Sequence, residues 1–241
     1  MALGKGMTTL PNLSPDKSGW PSPVADEEQH RFLLFDLLEI QRTGGEPYTG
    51  RWDVLGWMGG DYQRIWFKTE GRQNLSSAGG EADAQILYGK LISPFFDFQA
   101  GLRYDQRYVG DRTRSRFLGA VGVQGLAPYR FEVEPILFVS EDGQISARFT
   151  GAYNILLSQR LVLQPRLEAN AALQSREEFG IGSGLNDVEL GLRLRYEFRR
   201  EFAPYIGATY AESFGGSADF ARSEGESVRR FSVVAGVRMW F

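Results

Sequence analysis

"RRFSVVAGVRMWF", residues 229–241, closes the chain, and its alternation decides the fold. Phe231, Val233, Ala235, Val237, Met239 and Phe241 share one face at period two, while Ser232, Gly236 and Arg238 lie on the other. Period two belongs to an extended strand, here with one apolar and one polar face. Soluble chains usually finish in a polar, frayed end. This one finishes on an aromatic ring.

The same alternation recurs upstream. In "FFDFQAGLRYDQR" (95–107), Phe96, Phe98, Ala100, Leu102 and Tyr104 oppose Asp97, Gln99, Arg103, Asp105 and Arg107. In "YRFEVEPILFVS" (129–140), Tyr129, Phe131, Val133, Pro135, Leu137 and Val139 oppose Arg130, Glu132 and Glu134. "QISARFTGAYNI" (144–155) sets Ile145, Ala147, Phe149 and Tyr153 against Arg148, Thr150 and Asn154. "LVLQPRLEANAALQ" (161–174) places Leu161, Pro165 and Leu167 opposite Gln164, Arg166, Glu168 and Asn170. "DVELGLRLRYEFR" (187–199) places Val188, Leu190, Leu192, Leu194, Tyr196 and Phe198 opposite Asp187, Glu189, Arg193, Arg195 and Glu197. Further strands are expected near 32–42, 51–58, 61–70, 81–91, 114–127 and 203–212, giving about twelve in all. Gly59-Gly60, Ser93-Pro94, Ala127-Pro128 and Asp142-Gly143 mark turns between them.

A soluble sandwich also alternates, but its strands average five or six residues. These run to ten or more, about the ten that a tilted membrane strand needs. The aromatics give an independent check. If the strands run up and down, Phe95, Phe96, Tyr129, Phe131, Tyr196, Phe198 and Phe241 fall at one level. Tyr104, Phe117, Tyr210 and Phe231 fall at the opposite level. Two aromatic girdles around an apolar band fit a bilayer. Connections at one end are short (59–60, 92–94, 127–128, 157–160 and 200–202), whereas the other end includes 43–50, 71–80, 175–186 and 213–228. Short periplasmic turns and long outer loops are the outer-membrane pattern. The expectation is an all-β chain, a single antiparallel transmembrane up-and-down β-barrel of about 12 strands over 32–241. Outer-membrane lipid would surround it. On this reading Leu102, Leu137, Leu167, Leu192 and Val237 face lipid, and Asp105, Glu132, Glu134, Glu168, Glu189 and Arg195 face the lumen.

Residues 1–31, rich in Pro, Ser, Gly and Asp, read as a flexible N-terminal periplasmic arm. The arm lacks the apolar stretch of a secretory signal, so a signal peptide is expected to be absent from this chain. No run approaches the eighteen apolar residues of a membrane helix, and "FLLFDLLEI" (32–40) is broken by Asp36. No amphipathic helical segment of useful length competes with the strands. A formal net charge of −3 argues against a nucleic-acid partner, which prefers a basic face.

Candidate chemistry is sparse. There are no cysteines, which removes disulfides and thiolate metal sites. His30 is the only histidine and precedes the first expected strand, so a serine–histidine enzyme is not expected. "GIGSGL" (180–185) lacks the lysine and following helix of a phosphate loop and reads as a mobile loop. Lumen carboxylates among so many arginines read by default as salt-bridged.

Longer stretches carry a resemblance. "WMGGDYQRIWFKTEG" (57–71), "SPFFDFQAGLRYD" (93–105), "VGVQGLAPYRFEVE" (121–134), "LLSQRLVLQPRLE" (156–168), "GIGSGLNDVELGLRLRYEFRREFAPYIG" (180–207) and "VAGVRMWF" (234–241) resemble the copper resistance protein B family. The resemblance spans about residues 32–241. It implies a β-barrel of the bacterial outer membrane that acts in copper tolerance, binding copper or letting it cross. Copper ions and a periplasmic copper-resistance protein are then the implied partners. Family members often carry a Met- and His-rich segment before the barrel, and this arm has one His and two Met. Copper storage by the arm is therefore not expected.

Two readings follow. In one, Asp97, Asp105, Glu132, Glu134, Glu168, Asp187, Glu189 and Glu197 line an ion path that conducts or transiently binds copper. His30, Met58, Asp36 and Glu39 are the candidate metal ligands beside it. In the other, Arg–carboxylate bridges close the lumen, and the barrel binds copper or docks a periplasmic copper protein without conducting.

Overall fold

The computed structural model describes residues 29–76, 79–110 and 112–241. The N-terminal arm lies outside the described residues apart from its last few positions. The first strand, β1, is His30–Thr43, beginning two residues before the expected start. It is followed by β2 (Thr49–Gly59), β3 (Gln63–Asn74), β4 (Gly79–Ser93), β5 (Phe96–Val109), β6 (Arg112–Ala127), β7 (Phe131–Ser140) and β8 (Ile145–Ala152). Then come β9 (Ile155–Leu156), β10 (Leu161–Ala172), β11 (Gly184–Tyr196), β12 (Phe202–Ser213), the helix α1 (Gly215–Ser223) and β13 (Arg229–Trp240). Both β8 and β9 pair with β10, so together they make one interrupted stave. All pairings are antiparallel, and β13 pairs with β1. The result is a closed barrel of twelve staves with no open sheet edge.

The two faces follow the sequence alternation. Leu102, Leu137 and Leu192 lie exposed on the outer wall. Asp105, Glu168, Glu189 and Arg195 are buried within it. Cross-strand pairing brings Tyr104 against Phe117 and Tyr210 against Phe231 at the outer level. At the periplasmic level Phe131 stacks on Tyr153.

Several boundaries differ from expectation. Residues 71–74 and 79–80 continue as strand rather than loop, because Gly71 and Gln73 pair with Ala82 and Gly80. Tyr129 does not begin a strand but sits at a turn tip. Pro128–Arg130 forms a single 3-10 turn, with φ of +66° at Tyr129 and +64° at Arg130. Two successive positive φ values match a type I′ turn, which Asn-Gly adopts without strain. For other L-residues each such conformation costs about 1–2 kcal/mol.

Residues 213–228, expected as a plain loop, contain α1. The stretch 180–185 is not a free loop either. The Gly182 N–H donates to Ser217 Oγ (2.8 Å), and Asn186 Nδ2 donates to Gly182 O (2.6 Å) and Ser217 Oγ (2.9 Å). A side chain at Gly182 would meet the backbone of Gly216 and Ser217. Outer-loop ion pairs add to this, Arg107–Glu224 and Arg114–Glu178, each at 2.8 Å. The two longest outer loops therefore form one packed cap. Asn186→Leu removes two of these hydrogen bonds, so limited proteolysis from outside should cut 173–183 and 214–228 faster than in wild type, with the barrel intact.

Candidate functional site: the barrel lumen

The inner wall is built by one parity of each strand, and it carries both an apolar cluster and a network of ions. Strands β3, β4, β6 and β7 contribute an apolar cluster of Trp66, Leu87, Leu118, Ala120, Ile136 and Phe138, with Leu55 and Trp57 of β2 against it. Trp66 lies over Gly89, where any side chain would collide with its indole ring. Sequence reading missed this cluster. The signal was present, since Ile136 and Phe138 share the parity of Glu132 and Glu134.

Around this cluster, partly on the same strands, runs a network of ions, with Lys68 over the Trp66 ring and Arg103 over the Phe138 ring. Arg51 bridges Glu168 (3.2 Å) and Glu189, and Arg72 joins it at Glu189. Arg166 faces Asp53 (2.9 Å), Asp36 and Glu168 (both 3.6 Å). Arg148 reaches Glu70 at 3.1 Å, with Asp83 and Glu168 both at 3.9 Å. Arg103 and Arg116 converge on Asp105. The Lys68 ammonium donates to Gln99 (2.9 Å), Gln124 (2.8 Å) and Glu134 (2.7 Å). Arg193 grips Glu39 through Nε (2.9 Å) and Nη2 (2.8 Å), and Tyr205 Oη donates to the same carboxylate at 3.0 Å. The side chains of Arg193 and Glu39 are 1% and 0% exposed. Both oxygens of the Glu39 carboxylate are thus held, as a buried charge requires, while Arg193 Nη1 is buried without a hydrogen-bond partner among the described residues.

The proposed ion-path residues can now be placed one by one. Asp97 pairs with Arg64 (3.2 Å), Glu134 with Lys68, and Glu197 approaches Arg195 at 3.6 Å near the periplasmic end. Asp105, Glu168 and Glu189 sit inside the network. Asp187, toward the outer end, accepts from Asn170 Nδ2 (2.9 Å) and has no cation within salt-bridge distance among the described residues. Glu132, at the periplasmic rim, accepts from Asn154 Nδ2 (3.0 Å) and likewise has none. These eight carboxylates share the lumen without forming one file of free acids.

The four candidate metal ligands do not come together. Met58 is on the outer wall, 54% exposed, and His30 is exposed at the periplasmic start of β1. Asp36 and Glu39 do both face inward, although their spacing of three should put them on opposite faces. A β-bulge at Asp36, between the pairs Phe35–Val54 and Leu37–Asp53, resets the parity. Arg238 then holds Asp36 at 2.8 Å, while Arg193 holds Glu39. Among the described residues, no group of three or more His, Cys, Asp or Glu is arranged to hold a metal ion.

Every stave thus places a buried side chain on the inner wall: Leu37, Arg51, Lys68, Asp83, Gln99, Leu118, Phe138, Ala152, Arg166, Arg193, Tyr205 and Val234, one from each. The middle of the barrel is filled.

Comparison with known proteins adds the family. The model for "Copper resistance protein B precursor (CopB)" matches residues 29–241. Copper resistance protein B of Escherichia coli is 44% identical over 218 residues, covering 90% of this chain and 72% of that protein. A copper resistance protein B homolog from Pseudomonas syringae pv. tomato is 37% identical over the same shares of the two chains. Among solved structures, the NanC porin aligns with a TM-score of 0.54 at 11% identity, covering 86% of this chain and 98% of that one. The KdgM porin gives 0.52 at 10% identity, covering 87% and 99%. At such identities the porins speak for the fold alone. With a family match across nearly all of the described residues and a closed twelve-stave wall, this chain belongs to the copper resistance protein B family and has the fold of an outer-membrane β-barrel.

Proposed function

We propose that the chain serves copper resistance as a closed barrel, which binds copper transiently at its mouth and docks a periplasmic copper-handling protein, without free ion flow. The observation that carries this reading is the filled lumen. An ion crossing it must displace Arg–carboxylate pairs such as Arg51–Glu168 and Arg166–Asp53, and the apolar cluster offers it no ligands. Carboxylates hold copper less firmly than thiolates or imidazoles, which suits exchange with a partner. Glu132 and Glu197, at the periplasmic end, are the acids best placed to meet the ion.

The conduit reading keeps one observation in its favour. Asp187 and Glu132, toward opposite ends, have no cationic partner within salt-bridge distance among the described residues. A path between them would need the central arginines to swing aside.

Copper flux into liposomes decides between the two. Wild-type barrels should load no faster than empty liposomes. Wild-type flux above that background, lowered in Glu132→Gln/Glu134→Gln at matched insertion, would overturn the closed reading and assign these residues to a path. Flux unchanged by the double substitution would also overturn it, but would leave those two acids out of the path.

A further inference from the structure

Arginines at the two rims are used differently. At the outer rim Arg107, Arg114, Arg176, Arg222, Arg229 and Arg230 each face a carboxylate and Arg42 donates to Tyr48, while Arg112 is exposed with no ion pair among the described residues. At the periplasmic rim Arg130, Arg160, Arg199 and Arg200 are exposed, and their side chains form no ion pair or hydrogen bond with any described residue. These four lie on three successive turns: 128–130 between β6 and β7, 157–160 before β10, and 197–201 between β11 and β12. The remaining periplasmic turns, 60–62 and 94–95, carry no basic residue and include Asp61. The basic turns thus form an arc on one side, with Glu132 and Glu201 as acids without an ion pair among the described residues; the rim's other exposed unpaired bases, Arg31 and Lys90, sit on the outward strand faces of β1 and β4.

Within that arc stands Tyr129, 90% exposed at the tip of the turn whose two central residues hold positive φ. Strain kept at a tip with no intramolecular contact to offset it points to a use outside the barrel. Leu156 is exposed on the same arc. Tyrosine and arginine beside an apolar residue are what protein interfaces concentrate at their energetic centres.

We propose that this arc, Arg130, Arg160, Arg199 and Arg200 around Tyr129, is a docking surface for an acidic face of a periplasmic protein. The inference rests on the docking reading above and names its surface and the charge of its partner. Placement on the turns favours a discrete protein over membrane lipid, whose headgroups meet the outward strand faces where Arg31 and Lys90 sit.

The test uses the full chain in phosphatidylcholine nanodiscs, with two fluorescent peptides as probes: nine glutamates, and three repeats of Glu-Glu-Trp. Wild type should bind both, and binding should weaken as salt rises. Arg130→Glu/Arg160→Glu/Arg199→Glu should weaken both at least tenfold, whereas Arg112→Glu at the outer rim should change neither. Tyr129→Ala should weaken only the tryptophan peptide. Absence of wild-type binding, or equal binding by the triple variant, would overturn the proposal. So would arginine-dependent enrichment of phosphatidylglycerol around a barrel that ignores both peptides, which would make the arc a lipid contact. Copper flux is a separate readout. A barrel that conducts copper yet binds the peptides loses the closed-lumen reading and retains this surface.

Discussion

Glu39→Leu is expected to destabilise the folded barrel by about 3–5 kcal/mol, the cost of leaving one member of a buried ion pair alone. Its carboxylate accepts from Arg193, from Tyr205 and from Gln41 Nε2 at 2.8 Å. Without it the Arg193 guanidinium stays enclosed by the wall, since its side chain is folded over Gly191 and has almost no exposure. Water cannot replace the lost partner without opening the packing. Urea unfolding in detergent micelles measures the change directly. The double variant Glu39→Leu/Arg193→Met should recover much of the loss, because an apolar pair of similar volume needs no counter-charge. A single variant that unfolds at the wild-type midpoint would mean that the pair is not enclosed.

Leu192→Arg gives the second large effect. Leu192 is 48% exposed on the outer wall, between Tyr196 in one girdle and Tyr210, which pairs with Leu190, in the other. An arginine there faces hydrocarbon and should hinder insertion by about 2–4 kcal/mol, falling to about 0–1 kcal/mol at the interfaces. Phe198→Arg, at the periplasmic girdle, is the matched control. Folding efficiency into lipid vesicles distinguishes them. Equal assembly of Leu192→Arg and wild type would require Leu192 to face the lumen, which a shift of one residue in strand register would produce.

These two substitutions test different kinds of information. That Leu192 faces lipid is written in the local sequence, because successive side chains of a strand point to opposite faces. Strand number, wall polarity and the two girdles come from the same covalent geometry repeated along the chain. The family resemblance was equally legible, since it lies in continuous stretches such as 180–207.

The partner of Arg51 was not legible. Glu168 and Glu189 lie 117 and 138 residues away, and only closure of β13 onto β1 carries them across the lumen to it. Nor does alternation reveal the bulge at Asp36, where one extra residue turns both Asp36 and Glu39 inward. The alternation of 129–140 marked Glu132 and Glu134 as inward while leaving Ile136 and Phe138 unread, because parity names a face and not what fills the space beyond it. The sequence by itself determined a barrel wall with a charged inner surface. Which charges pair across the lumen was decided by tertiary structure, since ion pairing and packing depend on distances between strands far apart in the chain.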